Sequence, residues 1–471
     1  MAYLMTDRMQ QTLLPPVVDD YIGPEDPVRV YDAFVNALNV KELGLKQIPQ
    51  GNADQYDPKV LLKLLIYGYA YGIRSTRKLE RACYHNLSFI WLVGNLKPDH
   101  RTIGRFRQDN KETLKKVLKQ CVQLCMKFNL IDGNALFIDG SAIRANASIQ
   151  KTWDKERCDS HMRKIYKHID QIVDESQEDD FTEEQKTSLV QLNQDLKDLK
   201  ELKESVETFT HETQRPALNT TDKDSVTMRG RQGIHASYNA QMTVDGKHGL
   251  IVNSDTISHS QDANKFSGQI QQATDILGKK PDIACSDSGY HSLDDLAQVD
   301  PKIRTIIPSQ KQAQVEHGHP LRPFDKDHFT YDKHQDIYIC PQGQKLVYHS
   351  SAKDSRRHYK ARGATCYSCR HFGCCTSSKN GRLITRMKHE VLQQKLVQDY
   401  DTPEGKTIYQ RRNETVELVF GHIKRNLHAG YLLLRGRNGA NAELSLLSTG
   451  FNITRMITLI GVAELIARLQ G

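Results

Sequence analysis

The most restrictive feature of this sequence is a short apolar run that stops at a carboxylate, "NALFID" at residues 134–139. Such a run, bounded by polar sequence, reads as a buried strand. A counterpart lies far downstream in "PDIACSD", residues 281–287, and small or glycine-bearing sequence follows each aspartate ("IDGSA", "SDSGYHS"). Taken singly, Asp139 or Asp287 reads as a turn former or a cap for the next helix. As a pair they say more. Residues just past strand ends in an α/β sheet lie at the rim where ligands bind, so the two carboxylates can converge there. Between them, "ASYNAQMTV" and "GLIVNSDTI" are joined by Asp245-Gly246 and Lys247-His248 in the manner of a β-hairpin. A helix from Asp262 to Leu277, a short helix over 293–299 and a strand at "RTIIPS" complete the pattern. Hairpin strands followed by strands alternating with helices predict an α/β protein, a mixed sheet covered by helices.

Ahead of this sheet, residues 1–130 read as all-helical. Asp57-Pro58 supplies an N-cap and a first-turn proline, "STRKLERACYHN" and "SFIWLVG" are two short helices, and Asp99 caps one long helix through "QLCMKF". Arg74, Arg77, Lys78, Arg81, Arg101, Arg105 and Arg107 on these helices fit a helix-turn-helix-like DNA module, and equally a bundle with a solvated basic face. Residues 150–215 form a polar insertion. Met162, Ile165, Ile169 and Ile172 make one helical seam, and Leu189, Leu192, Leu196, Leu199, Leu202 and Val206 make another. The acidic "DESQEDDFTEEQ" between them predicts a self-packed helical hairpin in preference to a dimer or DNA arm.

A third carboxylate sits in "VELVFGHIKRN", residues 416–426. Val416, Val419, Phe420, Ile423 and Leu427 form a buried helical stripe, while Glu417, Gly421, Lys424 and His428 follow another line. Three convergent carboxylates suit hard divalent cations such as Mg²⁺ or Mn²⁺. With two ions, Asp139 would bridge both, and Asp287 and Glu417 would each complete one site. Lys424 would face a phosphate. Gly421 would leave room for the sugar-phosphate chain.

These blocks, in this order, resemble the DDE-type transposases of bacterial insertion sequences. "QQTLLPPVVDDYI", "STRKLERACYHN" and "PDHRTIGRFR" are similar to that family's N-terminal helical domain, and "LFIDGSAIRANAS" to its first catalytic strand. "YNAQMTVD" and "ACSDSGYHS" resemble its next blocks, and "VELVFGHIKRN" its last catalytic helix. The resemblance implies a ribonuclease H-like core over 131–471 behind a helical DNA-binding domain at 1–130. It implies Asp139, Asp287, Glu417 and Lys424 as catalytic residues. The activity implied is binding of element ends, DNA strand cleavage and strand transfer, with a homodimer holding two ends together. Arg101, Arg105, Arg107, Tyr409, Arg412, Lys424 and Arg425 are the expected DNA contacts. A signature of such transposases runs tyrosine, two residues, arginine, three residues, glutamate, six residues, lysine. Glu417 and Lys424 keep its spacing, but Gln410 and Asn413 occupy the tyrosine and arginine positions, with Tyr409 and Arg412 one residue early. Glu414 is therefore a competitor for the third carboxylate. A catalytically silent DNA-binding descendant and a structure-specific nuclease are the alternative functions.

Residues 310–390 form a Cys-rich insertion. Cys340 is followed by "CYSCRHFGCC", and Cys340, Cys366, Cys369 and Cys375 are the expected ligands of a structural Zn²⁺, leaving Cys374 free. This polar, basic stretch shows few other core residues, so a metal would help it fold. The other reading is a cluster of reduced thiols. Composition adds little about partners: 65 Lys and Arg against 57 Asp and Glu leave a net charge of +8, weak support for a polyanion. No charged-then-apolar leader opens the sequence, and the apolar region after Leu444 is interrupted by Asn452, Thr454 and Arg455. A core helix rather than a membrane span, and a cytoplasmic protein with reduced cysteines, are the expectations.

Overall fold

The strand predicted at 134–139 does not stop at its carboxylate. In the computed structural model it runs from Ala135 to Arg144 (β1), because "GSAIR" goes on pairing with the hairpin strand, from Gly140 opposite Gln241 to Arg144 opposite Ser237. Asp139 is thus a mid-strand residue, not a strand end. The structure describes residues 17–46, 56–175, 181–230, 233–316, 318–319, 323–352 and 356–471. The start of the "QQTLLPPVVDDYI" block and residues 176–180 of the acidic turn lie outside the described residues.

Five further strands join β1: Val226–Gly230 (β2), Gly233–Asp245 (β3), Ile251–Ile257 (β4), Ile283–Cys285 (β5) and Arg304–Ile306 (β6). The order across the sheet is β4-β3-β1-β5-β6, and β2 pairs with the first part of β3. β3 runs antiparallel to β1 and β4, whereas β5 and β6 run parallel to β1. The hairpin turn is held by Asp245, whose carboxylate accepts from the backbone of Lys247 at 2.9 Å and of Gly133 at 2.8 Å. The helix expected from Asp262 begins only at Phe266, where Asp295 accepts from the Phe266 N–H at 2.8 Å. Asp262 is left in the preceding loop, free to turn towards the sheet.

The N-terminal helices include Pro58–Ala70, Thr76–His85, Leu87–Leu92, His100–Asp109 and Lys111–Lys127. Asp57 and Asp99 cap as predicted, accepting from Lys59 N and Thr102 N at 2.8 Å each. The single long helix expected after Asp99 is two helices. Asn110 breaks it, with its amide donating to the Phe106 carbonyl and its oxygen accepting from Lys46 N.

These helices do not stand apart from the sheet. Leu64, Leu65, Tyr69, Val117, Leu136, Ile251, Leu444 and Leu447 belong to one continuous apolar core. Its axis is the helix Arg437–Ile460, against which Ala70 packs so closely that a Cβ on Gly450 would lie 3.0 Å from the Ala70 Cα. The polar residues interrupting this apolar helix have a purpose. Asn452 exchanges two 2.8 Å hydrogen bonds with the Ile251 backbone, and Asn441 accepts from Thr256 N at 2.6 Å. They satisfy backbone groups of β4, the sheet's edge strand, which would otherwise be unpaired. Among the described residues no single helix is long and apolar enough to cross a membrane, and the chain bends by 111° at Gly461 before its last helix. A buried ion pair, Arg74 to Glu443 at 2.9 Å, adds an electrostatic tie between the N-terminal segment and the same helix.

Two further segments pack largely on themselves. Helices Lys155–Glu175 and Glu183–Thr213 pack on one another, with Cys158, Leu202 and Val206 in their shared apolar cluster, as expected for a self-packed hairpin. The Cys-rich segment holds a five-stranded antiparallel sheet between Thr330 and Arg386. The expectation that it has little core of its own is corrected. Phe329, Tyr338, Leu346, Tyr359 and Ile384 form one, with Tyr331 packed against it, and Tyr331 and Tyr359 bury apolar rings while donating their hydroxyls to Asp336.

Candidate active site

Asp139 projects from the middle of β1, next to the central strand of the hairpin. Alternation along a strand places its side chain on the face of Ser141 and opposite that of Gly140. On this face lies the helix Leu418–Arg425, whose Lys424 donates to Ser141 Oγ at 2.5 Å. The predicted stripe of Val416, Val419, Phe420, Ile423 and Leu427 is buried throughout, so Glu417, Gly421 and Lys424 are carried round to the site. Asp287 arrives from the parallel side. β5 ends at Cys285, and Asp287 caps the short turn Ser288–Tyr290 by accepting from Gly289 N at 2.9 Å.

The three carboxylates share one cation, Arg412. Its guanidinium lies 2.7 Å from Glu417 Oε1 and 3.5 Å from Asp139 Oδ1, and Asp287 is within its field. The arrangement resolves the displaced spacing seen in the sequence. Residues Asn413–Glu417 form a π-type turn, which holds one residue more than an α turn. In an uninterrupted α-helix, positions 412 and 417 would point apart by well over a right angle. The wider turn absorbs the extra residue and returns Arg412 to the face of Glu417. Tyr409 comes with it, half-buried, its ring 5.5 Å from the Arg412 guanidinium carbon. Arg412 is thereby a buried partner of the carboxylates, not a surface group. Glu414, the competing third carboxylate, is exposed on the groove and makes no ion pair with Arg412.

Burial pushes the Asp139 carboxyl up to about 7; Arg412 opposes the shift, and Asp287 and Glu417 add to it. Asp287 is raised in the same way, first by burial. The folded state thus prefers both groups protonated. The Asp139 contribution to stability is complete below the ordinary carboxylate range and is lost as pH rises towards about 7, and that of Asp287 is lost in the same direction. A carboxylate set that is costly to ionise in its own fold is one that gains from a cation. Among the described residues, though, no three Asp, Glu, His or Cys side chains stand close enough together to hold a metal ion as placed. Arg412 is the positive partner that the acids share.

Asp139 and Glu417 open onto a groove of about 1260 Å³. Its walls carry Arg144, Arg229, Lys424, Arg425 and Arg455, and Gly421 faces it with nothing within 4 Å of where a Cβ would stand. Of the other predicted DNA contacts, Arg101 and Arg105 are exposed on the His100–Asp109 helix. Arg107 is not. It is buried, donating to Tyr69 Oη at 3.1 Å and to the Arg74 carbonyl at 3.0 Å, so it is structural. Arg74 is withdrawn from the basic face in the same way by its bond to Glu443. Period-3.6 reading alone would have placed Arg107 on the inward line of Ile103 and Phe106.

In the Cys-rich sheet, Cys340, Cys366, Cys369 and Cys375 line one small cavity together with His371, and Cys374 is exposed outside it. Backbone N–H groups of Gln344 and Arg382 donate to the sulfurs of Cys340 and Cys366 at 3.3 and 3.4 Å. His371, between Cys369 and Cys374 in sequence, is a lining residue that the cysteine spacing does not single out.

Fold and site together define a mixed α/β protein with two half-buried carboxylates, Asp139 and Asp287, and an exposed one, Glu417, at the head of a basic groove. Two family models match the chain: "Transposase DDE domain" over residues 339–457, which includes Glu417 and Lys424, and "Transposase domain (DUF772)" over 16–109, which includes Arg101 and Arg105. The two matches support a DDE-type transposase of the insertion-sequence type. No curated protein and no solved structure matches it.

Proposed function

We propose that this transposase binds the ends of its own DNA element, cuts them in a cation-dependent reaction and joins the freed 3′-hydroxyls to target DNA. The observation that carries the reading is the convergence of Asp139, Asp287 and Glu417 on Arg412 beside the basic groove. The sheet order β4-β3-β1-β5-β6, with only β3 antiparallel to its β1 and β4 neighbours, supports a ribonuclease H-like core for residues 131–471. Exposed Arg101 and Arg105 support DNA contact by the helical segment 1–130.

The donor set fits Mg²⁺ or Mn²⁺, being all oxygen and costly to ionise without a counter-charge. Asp139, Asp287 and Glu417 would hold two such ions, which would supply activation of the attacking oxygen and stabilisation of the leaving oxygen at phosphorus. Arg412 keeps the acids from repelling one another until the centre is loaded. Lys424, fixed by Ser141, meets the phosphate, and Arg144, Arg229, Arg425 and Arg455 follow the backbone along the groove. Since both steps are in-line displacements, one centre serves cutting and joining. Two ends must be held at once, so the working form is a homodimer.

Incubating the protein with element ends, target DNA and Mg²⁺ or Mn²⁺ separates this reading from its rivals. Joined product supports it; cut product without joining assigns a nuclease; a bound complex alone assigns a silent binder. Gly421 gives a second check. Gly421→Ala is expected to stabilise the helix by about 0.5–1 kcal/mol, since the added methyl meets no protein atom. Gly421→Tyr is expected to leave the melting midpoint near that of wild type while weakening DNA binding at least tenfold, and unchanged binding would remove the groove from the DNA path.

We infer further that Cys340, Cys366, Cys369 and Cys375 bind a structural Zn²⁺. The two N–H···S hydrogen bonds and the shared cavity support this, because such donors stabilise thiolates. Purified protein is expected to carry about one zinc per chain, in line with a single four-ligand site. Chelation should then lower the melting midpoint of the segment around 330–386. A zinc-free preparation that melts like the untreated protein would leave a reduced thiol cluster.

A further inference from the structure

The glycine after Asp139 is not needed for a turn, since it lies inside β1 opposite Gln241. What it makes room for is a carboxylate. A Cβ on Gly140 would lie 2.3 Å from Oδ1 of Asp262, which reaches β1 from the face opposite Asp139. That oxygen accepts from the amides of Asn239 and Gln241, both at 2.7 Å. Gln241 is fixed in turn by the Tyr290 hydroxyl, which donates to its amide oxygen. One oxygen of Asp262 is therefore fully engaged, and the chain around it is arranged to aim the other. Oδ2 points to the Asp287 turn: a Cβ on Gly289 would lie 3.6 Å from Asp262 Oδ2 and 3.0 Å from Asp287 Oδ1. The two oxygens flank one point, next to a glycine that keeps it open.

We propose that Asp262 is a fourth carboxylate ligand of the cation centre, sharing an ion with Asp287. The proposal rests on the reading of Asp139, Asp287 and Glu417 as that centre. β5 ends at Cys285 opposite Phe137, and the next pairing on this side of β1 is at Arg144 with Tyr431, so acids from both faces of the sheet can meet in between. Gly140 and Gly289 are the openings through which Asp262 takes part. The loop between β4 and the Phe266–Leu277 helix thus contributes to the centre as well as connecting two elements.

The test is Mn²⁺ titration of the full chain without DNA, by calorimetry and by Mn²⁺ electron paramagnetic resonance. Asp262→Asn keeps an oxygen for Asn239 and Gln241 and removes only the charge. It is expected to weaken one Mn²⁺ site about ten- to a hundredfold, the range seen when groups supporting a metal are removed. Gly289→Ala, which leaves the Asn239–Gln241–Asp262 bonds intact, is expected to do the same by wedging between the two oxygens, and decides the matter should Asp262→Asn fail to fold. Asp139→Asn is the comparator. If it weakens Mn²⁺ binding while Asp262→Asn and Gly289→Ala leave it at the wild-type value, Asp262 merely anchors its loop and this inference is overturned with the centre intact. If Asp139→Asn itself leaves Mn²⁺ binding unchanged, the centre is misassigned and the inference falls with it.

Discussion

Asp139→Asn, Asp287→Asn and Glu417→Gln are each expected to abolish cutting of element-end DNA while leaving end binding close to wild type. Cation stabilisation of charge at phosphorus is worth several kcal/mol, and every 1.4 kcal/mol is tenfold in rate, so each loss should exceed about a thousandfold. Unfolding is not the expected cause. Burial raises Asp139 to about 7, so at pH 8 the wild-type protein without cation bears the cost of an ionised buried carboxylate, and asparagine does not. The Asp139→Asn protein should therefore melt no lower than wild type at pH 8 in chelator, and Mn²⁺ affinity of the wild type should climb with pH up to about 7. Cutting that survives all three single substitutions would sink the assignment of the centre.

Glu443→Ala is expected to be the most destabilising of the single substitutions considered. Glu443 is fully buried, bonded to Arg74, and also accepts from the backbone of Leu433 at 2.7 Å and Leu434 at 3.1 Å. Arg74 in turn donates to the carbonyls of His428 and Tyr431. Removing the acid strands a buried guanidinium and two backbone donors, a loss of about 3–5 kcal/mol. A double replacement, Arg74→Met with Glu443→Leu, should recover only the part due to the stranded guanidinium, since the Leu433 and Leu434 N–H groups and the His428 and Tyr431 carbonyls still lose their partners. Denaturant midpoints measure both, and a Glu443→Ala protein within 1 kcal/mol of wild type would show the pair to be incidental. The pair also sits where function needs rigidity. It ties the segment just after the Lys424 helix to the N-terminal helices, so the exposed Arg101 and Arg105 and the carboxylate centre are parts of one body.

Much of this was legible from local pattern. The caps at Asp57 and Asp99, the hairpin at Asp245-Gly246 and the buried stripe from Val416 to Leu427 follow from short-range chemistry that a sequence displays. The N-terminal arginines were less legible. Arg74 and Arg107 read as basic surface, because charge is visible in sequence and its burial is not; a buried arginine is tolerable only where Glu443, Tyr69 and backbone carbonyls wait for it. The core of the Cys-rich sheet was hidden for a similar reason, since tyrosine reads as polar until Asp336 takes its hydroxyls.

The identities of the three acids, their order and the elements that carry them were set by the sequence itself, because strand and helix periodicities are local and each acid sits at a fixed place in its period. Three things were decided only in the tertiary structure. The π-type turn at Asn413–Glu417 restores Arg412 to the face of Glu417, which no spacing rule for a regular helix allows. Gly140 opens β1 to an acid from the other side of the sheet, a contact between residues more than a hundred positions apart. And Asp139, Asp287 and Glu417 meet at Arg412, where burial raises the cost of ionising Asp139 and Asp287. Each depends on which surfaces close over which. That is a property of packing, and no local pattern records it.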